Sequence, residues 1–218
     1  MHLSETKQEV DDCVAKYKLS PVQYLNKINF LGPNCLLAHS VWLDDEEMKM
    51  LSKNNCHLIY NPTSNMKLAS GIFQYGKIKD SQINIVLGTD GAASNNSLDL
   101  FSEMKTGALL PKISNLDPTV TTAQNLFDNA TINAARALRI NAGEIAIGRL
   151  ADLSLLDLTN ISLSPNHNLI SNIVYSANGS CVTDVLINGK IIMRNRKIKD
   201  YEKICQKFKE ICTRISTS

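Results

Sequence analysis

Four side chains able to bind a divalent metal or move a proton stand at the ends of short apolar runs: His2, Glu5, His39 and Asp90. Asp90 is the clearest. The run Ile83-Asn84-Ile85-Val86-Leu87 ends in Gly88-Thr89-Asp90, and the small residues Gly91, Ala92, Ala93, Ser94 and Asn95 follow. A buried parallel strand reads this way when it delivers one carboxylate to the mouth of an α/β barrel, the end where such barrels keep their chemistry. Cys35-Leu36-Leu37-Ala38-His39 is a second run, closed by a histidine. His2-Leu3 reads as the tail of a third, with Glu5 three residues past His2. Neutral imidazole nitrogen and carboxylate oxygen are donors of a hydrolytic zinc site, which keeps one position open for water. The metal lowers the pKa of that water to about 7. A carboxylate touching both metal and water can take the proton, so Asp90 could be ligand and base together. Glu5 could carry a proton to a leaving nitrogen.

Taken singly, each group has a plainer reading. A histidine at a strand end is more often a hydrogen-bonded structural residue, and Gly-Thr-Asp after a strand is often a helix cap. His57 and His167 lack a partner pattern and are assigned to structure. Asn61-Pro62-Thr63-Ser64-Asn65 reads as a turn. The joint pattern carries the weight: four polar groups, each just past an apolar run, in one sheet.

The elements that position them alternate. Helical sequence runs from Val10 to Tyr17 and from Pro21 to Asn26, then over Leu43 to Lys53 with Asp44 as cap and Leu43, Met48 and Leu51 inward. His57-Leu58-Ile59-Tyr60 is a strand stopped by Asn61-Pro62. After Asp90, Asn96 or Ser97 caps a helix with Leu98, Phe101, Met104 and Ala108 at helical spacing, and Pro111 is expected to end it. One further helix is expected from Thr121 to Leu138, with Ala123, Phe127, Ala130, Ala134 and Leu138 on one face and Asn141-Ala142-Gly143 as its stop. Strand alternating with helix implies a parallel sheet. Four such units fit before residue 140, whereas an eightfold barrel takes about 250 residues. The expectation is α/β: the C-terminal half of a TIM (β/α)8 barrel.

Beyond residue 143 the pattern changes. Ala151 to Leu156 reads as a strand, and Val182–Ile187, Asn188-Gly189 and Lys190–Arg194 form a strong hairpin signal with a type I′ turn. A last amphipathic helix carries Ile204, Phe208, Ile211 and Ile215. The expected division is a partial hydrolase barrel over 1–142, a small β appendage over 143–198 and a helix over 199–218.

Composition bounds the class. The chain has 218 residues, 44% hydrophobic and 20% charged, with net charge +2. The charges are scattered, so no nucleic-acid partner is expected. No apolar run approaches a membrane span, and no signal peptide is read at Met1. The six cysteines form no C-x-x-C pair. Cys35 and Cys56 read as small core residues, and a reduced, cytoplasmic setting is expected.

The chain resembles the C-terminal part of amidohydrolase-superfamily enzymes, in the branch of methylthioadenosine and S-adenosylhomocysteine deaminases and related chlorohydrolases. The segments that carry the resemblance are His2-Leu3-Ser4-Glu5-Thr6, Leu37-Ala38-His39, Asn61 through Gly71, Leu87 through Asn96, Ala130 through Ala135, and Gly148 through Leu153. It implies that His2 is the fifth-strand metal ligand and Glu5 a substrate-contacting proton shuttle. His39 would orient the attacking water, and Asp90 would be the eighth-strand ligand and base, also touching substrate. It implies a divalent metal, Zn2+ or else Fe2+, and hydrolytic deamination of an adenosine-type nucleoside such as S-adenosylhomocysteine, methylthioadenosine or 5′-deoxyadenosine. It also implies that the β appendage is part of a composite sandwich sharing strands with an N-terminal segment. No His-x-His motif occurs in the sequence, and two of the four expected metal ligands are present. The chain alone is therefore not expected to hold a tight zinc site. It would begin inside the site, as a truncated frame, a mis-called start or one piece of a split enzyme. Open sheet edges would favour a homo-oligomer or a missing N-terminal half as partner. The rival readings are a non-catalytic half-barrel interaction module and a related hydrolase acting on guanine, cytosine or a chlorotriazine.

Overall fold

The computed structural model describes residues 1–216. A parallel sheet in the order β1-β2-β3-β4 is built from His2–Leu3, Leu36–His39, His57–Tyr60 and Asn84–Leu87. The register pairs Leu3 with His39, Ala38 with Ile59 and Tyr60 with Leu87, so all four strands end at the same edge. Between them run α1 (Lys7–Tyr17), α2 (Pro21–Lys27), α3 (Asp45–Lys53), α4 (Pro62–Lys67) and α5 (Tyr75–Asp80). After β4 come α6 (Ala92–Asn95), α7 (Leu100–Asn115), α8 (Ala123–Ala130) and α9 (Ile132–Leu138).

The strands bury one face fully against the helices, while the other, with Leu36, Ala38 and Ile59, is half-buried. Leu37, Leu58, Tyr60 and Leu87 are buried, and Met48, Leu51, Ile78, Met104 and Leu126 from the helices close over them. Caps fix where several helices begin. Asp44 accepts from the Glu47 amide and Glu47 accepts back from Asp44, and Ser20 and Gln23 repeat the reciprocal pattern at α2.

Three local expectations are corrected. Pro111 does not end its helix: α7 continues to Asn115 and is capped at its start by Asp99, not Asn96 or Ser97. A proline removes one N–H from the helical ladder. Here the last turn is held instead by Asn115 Nδ2 and Ser114 Oγ, both donating to the Pro111 carbonyl, and by Leu116 in the left-handed region. The single helix from Thr121 to Leu138 is two, broken at Thr131, whose hydroxyl turns back to the Phe127 carbonyl at 2.7 Å. Its inward face carries Leu126, Ala135 and Ala137, while Leu138 is exposed and Arg139 is the cap. Gly143 packs closely against the break: a Cβ there would lie 2.9 Å from the Thr131 carbonyl oxygen and 2.8 Å from Ala135 Cβ, an approach that a larger residue would prevent. Finally, Asn61 to Asn65 is not a simple turn, because Pro62 opens α4.

The second sheet is antiparallel, in the order β5-β6-β7-β8: Leu153–Leu156, Val182–Ile187, Lys190–Arg194 and Lys197–Ile198. Asn188 and Gly189 both take positive φ in the hairpin turn, as a type I′ turn requires. Helix α10 (Leu169–Tyr175) ties this part to the first through buried Ile173 and Val174. Helix α11 (Tyr201–Ser216) follows and has no buried residue among those described.

Candidate metal-dependent active site

The common strand edge gathers the predicted groups. One donor atom from each of His2, His39 and Asp90 lies within 4.8 Å of the others, although the three are far apart in sequence. The imidazole rings of His2 and His39 stack with centroids 5.1 Å apart. His39 Nε2 is 3.7 Å from Glu5 Oε2 and 4.0 Å from Asp90 Oδ2. All four predicted site residues are thus brought together. His57 lies elsewhere: burial pushes its pKa down, the Pro33 backbone opposes this, and Arg139 and Arg136 push further down. Its Nδ1 is 3.0 Å from Asn84 Nδ2, which makes it a neutral structural group. His167 is exposed on a loop.

The backbone bends sharply where the strands deliver these groups. Ser4, His39, Ser40 and Asp90 have φ values of 47°, 71°, 48° and 60°. A non-glycine residue in the left-handed region is disfavoured, and clusters of such residues occur where a surrounding structure over-determines a site. That surrounding structure is visible. The Ser40 amide donates to the Leu3 carbonyl, and the Val41 and Trp42 amides donate to the Ser4 carbonyl. Glu9 on α1 accepts from the Ser4 and Glu5 amides at 3.0 and 2.8 Å. Glu5 itself is steadied by the Ser70 hydroxyl at 3.2 Å, and the Ser70 carbonyl accepts from the Trp42 indole at 2.7 Å.

The segment that reads as a turn turns out to be scaffold for the site. Ser64 Oγ donates to Asp90 Oδ2 at 2.6 Å, and Asn65 Oδ1 is 2.8 Å from His39 Nδ1. Lys67 donates to the Ala93 carbonyl and to Asn96, closing the loop after Asp90. Buried Glu103 accepts from the Thr63 amide and from Asn95, which also donates to the Thr89 carbonyl. Sequence reading missed Ser64, Asn65 and Ser70. For Ser64 and Asn65 the available signal was density: polar residues at successive positions of a short helix that buries both beside Pro62.

Burial pushes the Asp90 carboxyl up, but this is outweighed by the Ser64 hydroxyl, the Gly91 amide and the imidazoles of His39 and His2. The carboxyl therefore sits below its ordinary pKa and is ionised at neutral pH. Two imidazoles and a carboxylate suit Zn2+ or Fe2+. Donors bound to a tetrahedral ion at about 2.0–2.2 Å stand about 3.3–3.6 Å apart, so three donor atoms within 4.8 Å of one another can close on one ion with a small side-chain shift. The donor set therefore fits a divalent ion, with His39 as a third possible donor beside His2 and Asp90.

Strand-end imidazole and carboxylate donors on a parallel α/β half-barrel are an arrangement suited to metal-assisted hydrolysis. The sequence comparisons make this specific: residues 1–192 match the amidohydrolase family, and the chain belongs to that family. It is 47% identical over 193 residues to a 5-methylthioadenosine/S-adenosylhomocysteine deaminase of Thermococcus sibiricus, covering 88% of this chain and 46% of that protein. It is 44% identical over 202 residues to a 5′-deoxyadenosine deaminase of Methanothermobacter thermautotrophicus, covering 93% and 47%. A zinc-bound adenosine deaminase structure from Xanthomonas campestris superposes on the whole chain and on 50% of its own, with a TM-score of 0.96 and 34% identity. An atrazine chlorohydrolase from Arthrobacter aurescens, at 22% identity and a TM-score of 0.89 over 94% of this chain and 46% of its own, shares the fold. The chain spans about half the length of the curated relatives it matches.

Proposed function

We propose that this chain provides half of a divalent-metal-dependent deaminase acting on an adenosine-type nucleoside: S-adenosylhomocysteine, methylthioadenosine or 5′-deoxyadenosine. The observation that carries the reading is the convergence of His2, His39 and Asp90 within 4.8 Å at the edge where the four parallel strands end, with Glu5 beside them. His2 and Asp90 hold the ion, Zn2+ in the first instance. When bound, the ion supplies Lewis-acid activation of water near neutral pH. Asp90, ionised and oriented by Ser64, accepts the proton of the attacking water. His39 orients that water. Glu5, steadied by Ser70, would contact the purine and relay to the departing amine the proton that Asp90 takes from water.

The partner in this proposal is a complementary N-terminal half-barrel, carried in the same or another chain. Strands β1 and β4 each have one free edge, and a groove of about 1160 Å³ lined by Leu98, Phe101, Phe127, Leu138, Ile145 and Leu153 lies between the two parts of the molecule. The proposed division is barrel over 1–142, β portion over 143–198 and terminal helix over 199–218. Six free thiols support a reducing, cytoplasmic setting. No helix among the described residues is long and apolar enough to cross a membrane.

The test is complementation. The chain is mixed with the N-terminal half of the Thermococcus sibiricus relative in the presence of Zn2+, and ammonia release is followed from each of the three nucleosides. Deamination that needs both halves and is lost in Asp90→Asn is expected. A well-formed, zinc-loaded complex that releases no ammonia from any of the three would defeat the proposal.

A further inference from the structure

Ser64 and Asn65 are adjacent on α4, yet each reaches a different member of the strand-end cluster. The Ser64 hydroxyl meets Asp90 and the Asn65 amide meets His39. Asn65 and His39 are each 1% exposed, so bulk water does not compete for that contact. The two ring nitrogens of His39 are consequently unequal. Nδ1 has Asn65 Oδ1 at 2.8 Å, the length of a good hydrogen bond. Nε2 faces Glu5 Oε2 at 3.7 Å and Asp90 Oδ2 at 4.0 Å, separations at which charge is felt but no hydrogen bond forms. A neutral imidazole carries one N–H, and the nitrogen with the better acceptor keeps it. The ring is also fixed in plane by its stack on His2, at an interplanar angle of 17°.

We propose that Asn65 is a positioning residue that holds neutral His39 in the Nδ1–H tautomer, so that the Nε2 lone pair faces the space between Glu5 and Asp90. The use made of that lone pair rests on the deaminase reading: it can accept a hydrogen bond from water or ligate an ion, whereas an N–H at the same place can do neither. A partner that touches the ring nitrogen facing away from the cluster sets ring orientation as well as tautomer. The rival arrangement has the Asn65 amide turned over, its N–H against Nδ1 and the imidazole proton on Nε2.

Nitrogen NMR separates the two. The full chain is labelled with 15N-histidine, stripped of metal with a chelator, and measured at about pH 8.5, well above the ordinary imidazole pKa of about 6.5. Long-range proton–nitrogen correlations distinguish a protonated ring nitrogen from one bearing a lone pair. The His39 signals are identified by their loss in His39→Gln. Protonated Nδ1 and unprotonated Nε2 are expected in the wild type and in Asn65→Asp, whose carboxylate keeps an acceptor. Asn65→Leu is expected to reverse the pattern. Should that variant not fold, the wild type alone decides, because an unprotonated Nδ1 there overturns the proposal. An Nδ1–H that persists in folded Asn65→Leu overturns it too. The readout needs no turnover, so the expected pattern in a chain that never deaminates would remove the deaminase reading and leave Asn65 in this role.

Discussion

The two sheets of this chain are built to opposite conditions. The parallel sheet has helices packed over it, and most large apolar side chains of β2, β3 and β4 are buried, Leu36 and Ile59 excepted. The antiparallel sheet leaves Leu155, Ile187, Ile191, Ile192 and Ile198 about half exposed. Helix α11, which follows it in the chain, presents Ile204 at 56%, Phe208 at 67% and Ile211 at 51% exposure. Apolar faces of this extent are uncommon on a finished surface. The first region supplies its own core and can hold polar groups rigidly at its strand ends. The second has the right periodicity for burial but lacks a covering layer within the described residues.

Mutational cost separates the regions most sharply. Leu58→Ala in β3 is expected to cost about 2–5 kcal/mol, while Phe208→Ser on α11 costs less than about 0.5 kcal/mol in the isolated chain. Urea unfolding of both variants measures this, and equal losses would erase the contrast. The site gives the next largest effect. Ser64→Ala removes the hydroxyl that orients Asp90, and the Zn2+ affinity of the complex with the N-terminal half is expected to fall about 10–100-fold, as for other outer partners of a metal ligand. Competition against a chromogenic chelator reads it. A matching loss in Ser180→Ala, in the second region, would show that the effect is not local.

The smallest expected effect concerns pH. His57 is held below its ordinary pKa by burial first, so the folded state favours its neutral form. Its contribution is fully present above the unfolded-state value of about 6.5 and is lost as the pH falls from there through the folded value. Thermal melts at about pH 8 and pH 5.5 are expected to show a smaller acid-side loss in His57→Gln than in the wild type. An identical loss would show that His57 takes no part in this linkage.

Much of this was legible beforehand, for identifiable reasons. Strand ends read clearly because a buried parallel strand is a run of apolar residues with an abrupt polar stop, as at Leu87-Gly88-Thr89-Asp90. The hairpin read clearly because Asn188-Gly189 accepts a backbone few other pairs accept. Pro111 misled because a proline's local penalty says nothing of the side chains that stitch the following turn. The helix break at Thr131 was not legible because the apolar spacing runs through it, and the close packing of Gly143 on it comes from twelve residues away. The deeper α4 roles were hidden for the same reason: Ser64 and Asn65 find Asp90 and His39 only across neighbouring strands.

By itself the amino-acid order determined which residues are apolar, where strands stop, and that imidazole and carboxylate groups stand at those stops. Those are local properties, written in side-chain type and spacing. Tertiary structure alone decided that His2, His39 and Asp90 share one small volume and that α4 fixes their orientation. It also decided that the second sheet is left with open faces. Each is a relation between segments distant in sequence, set by register and packing, which no single stretch of chain contains.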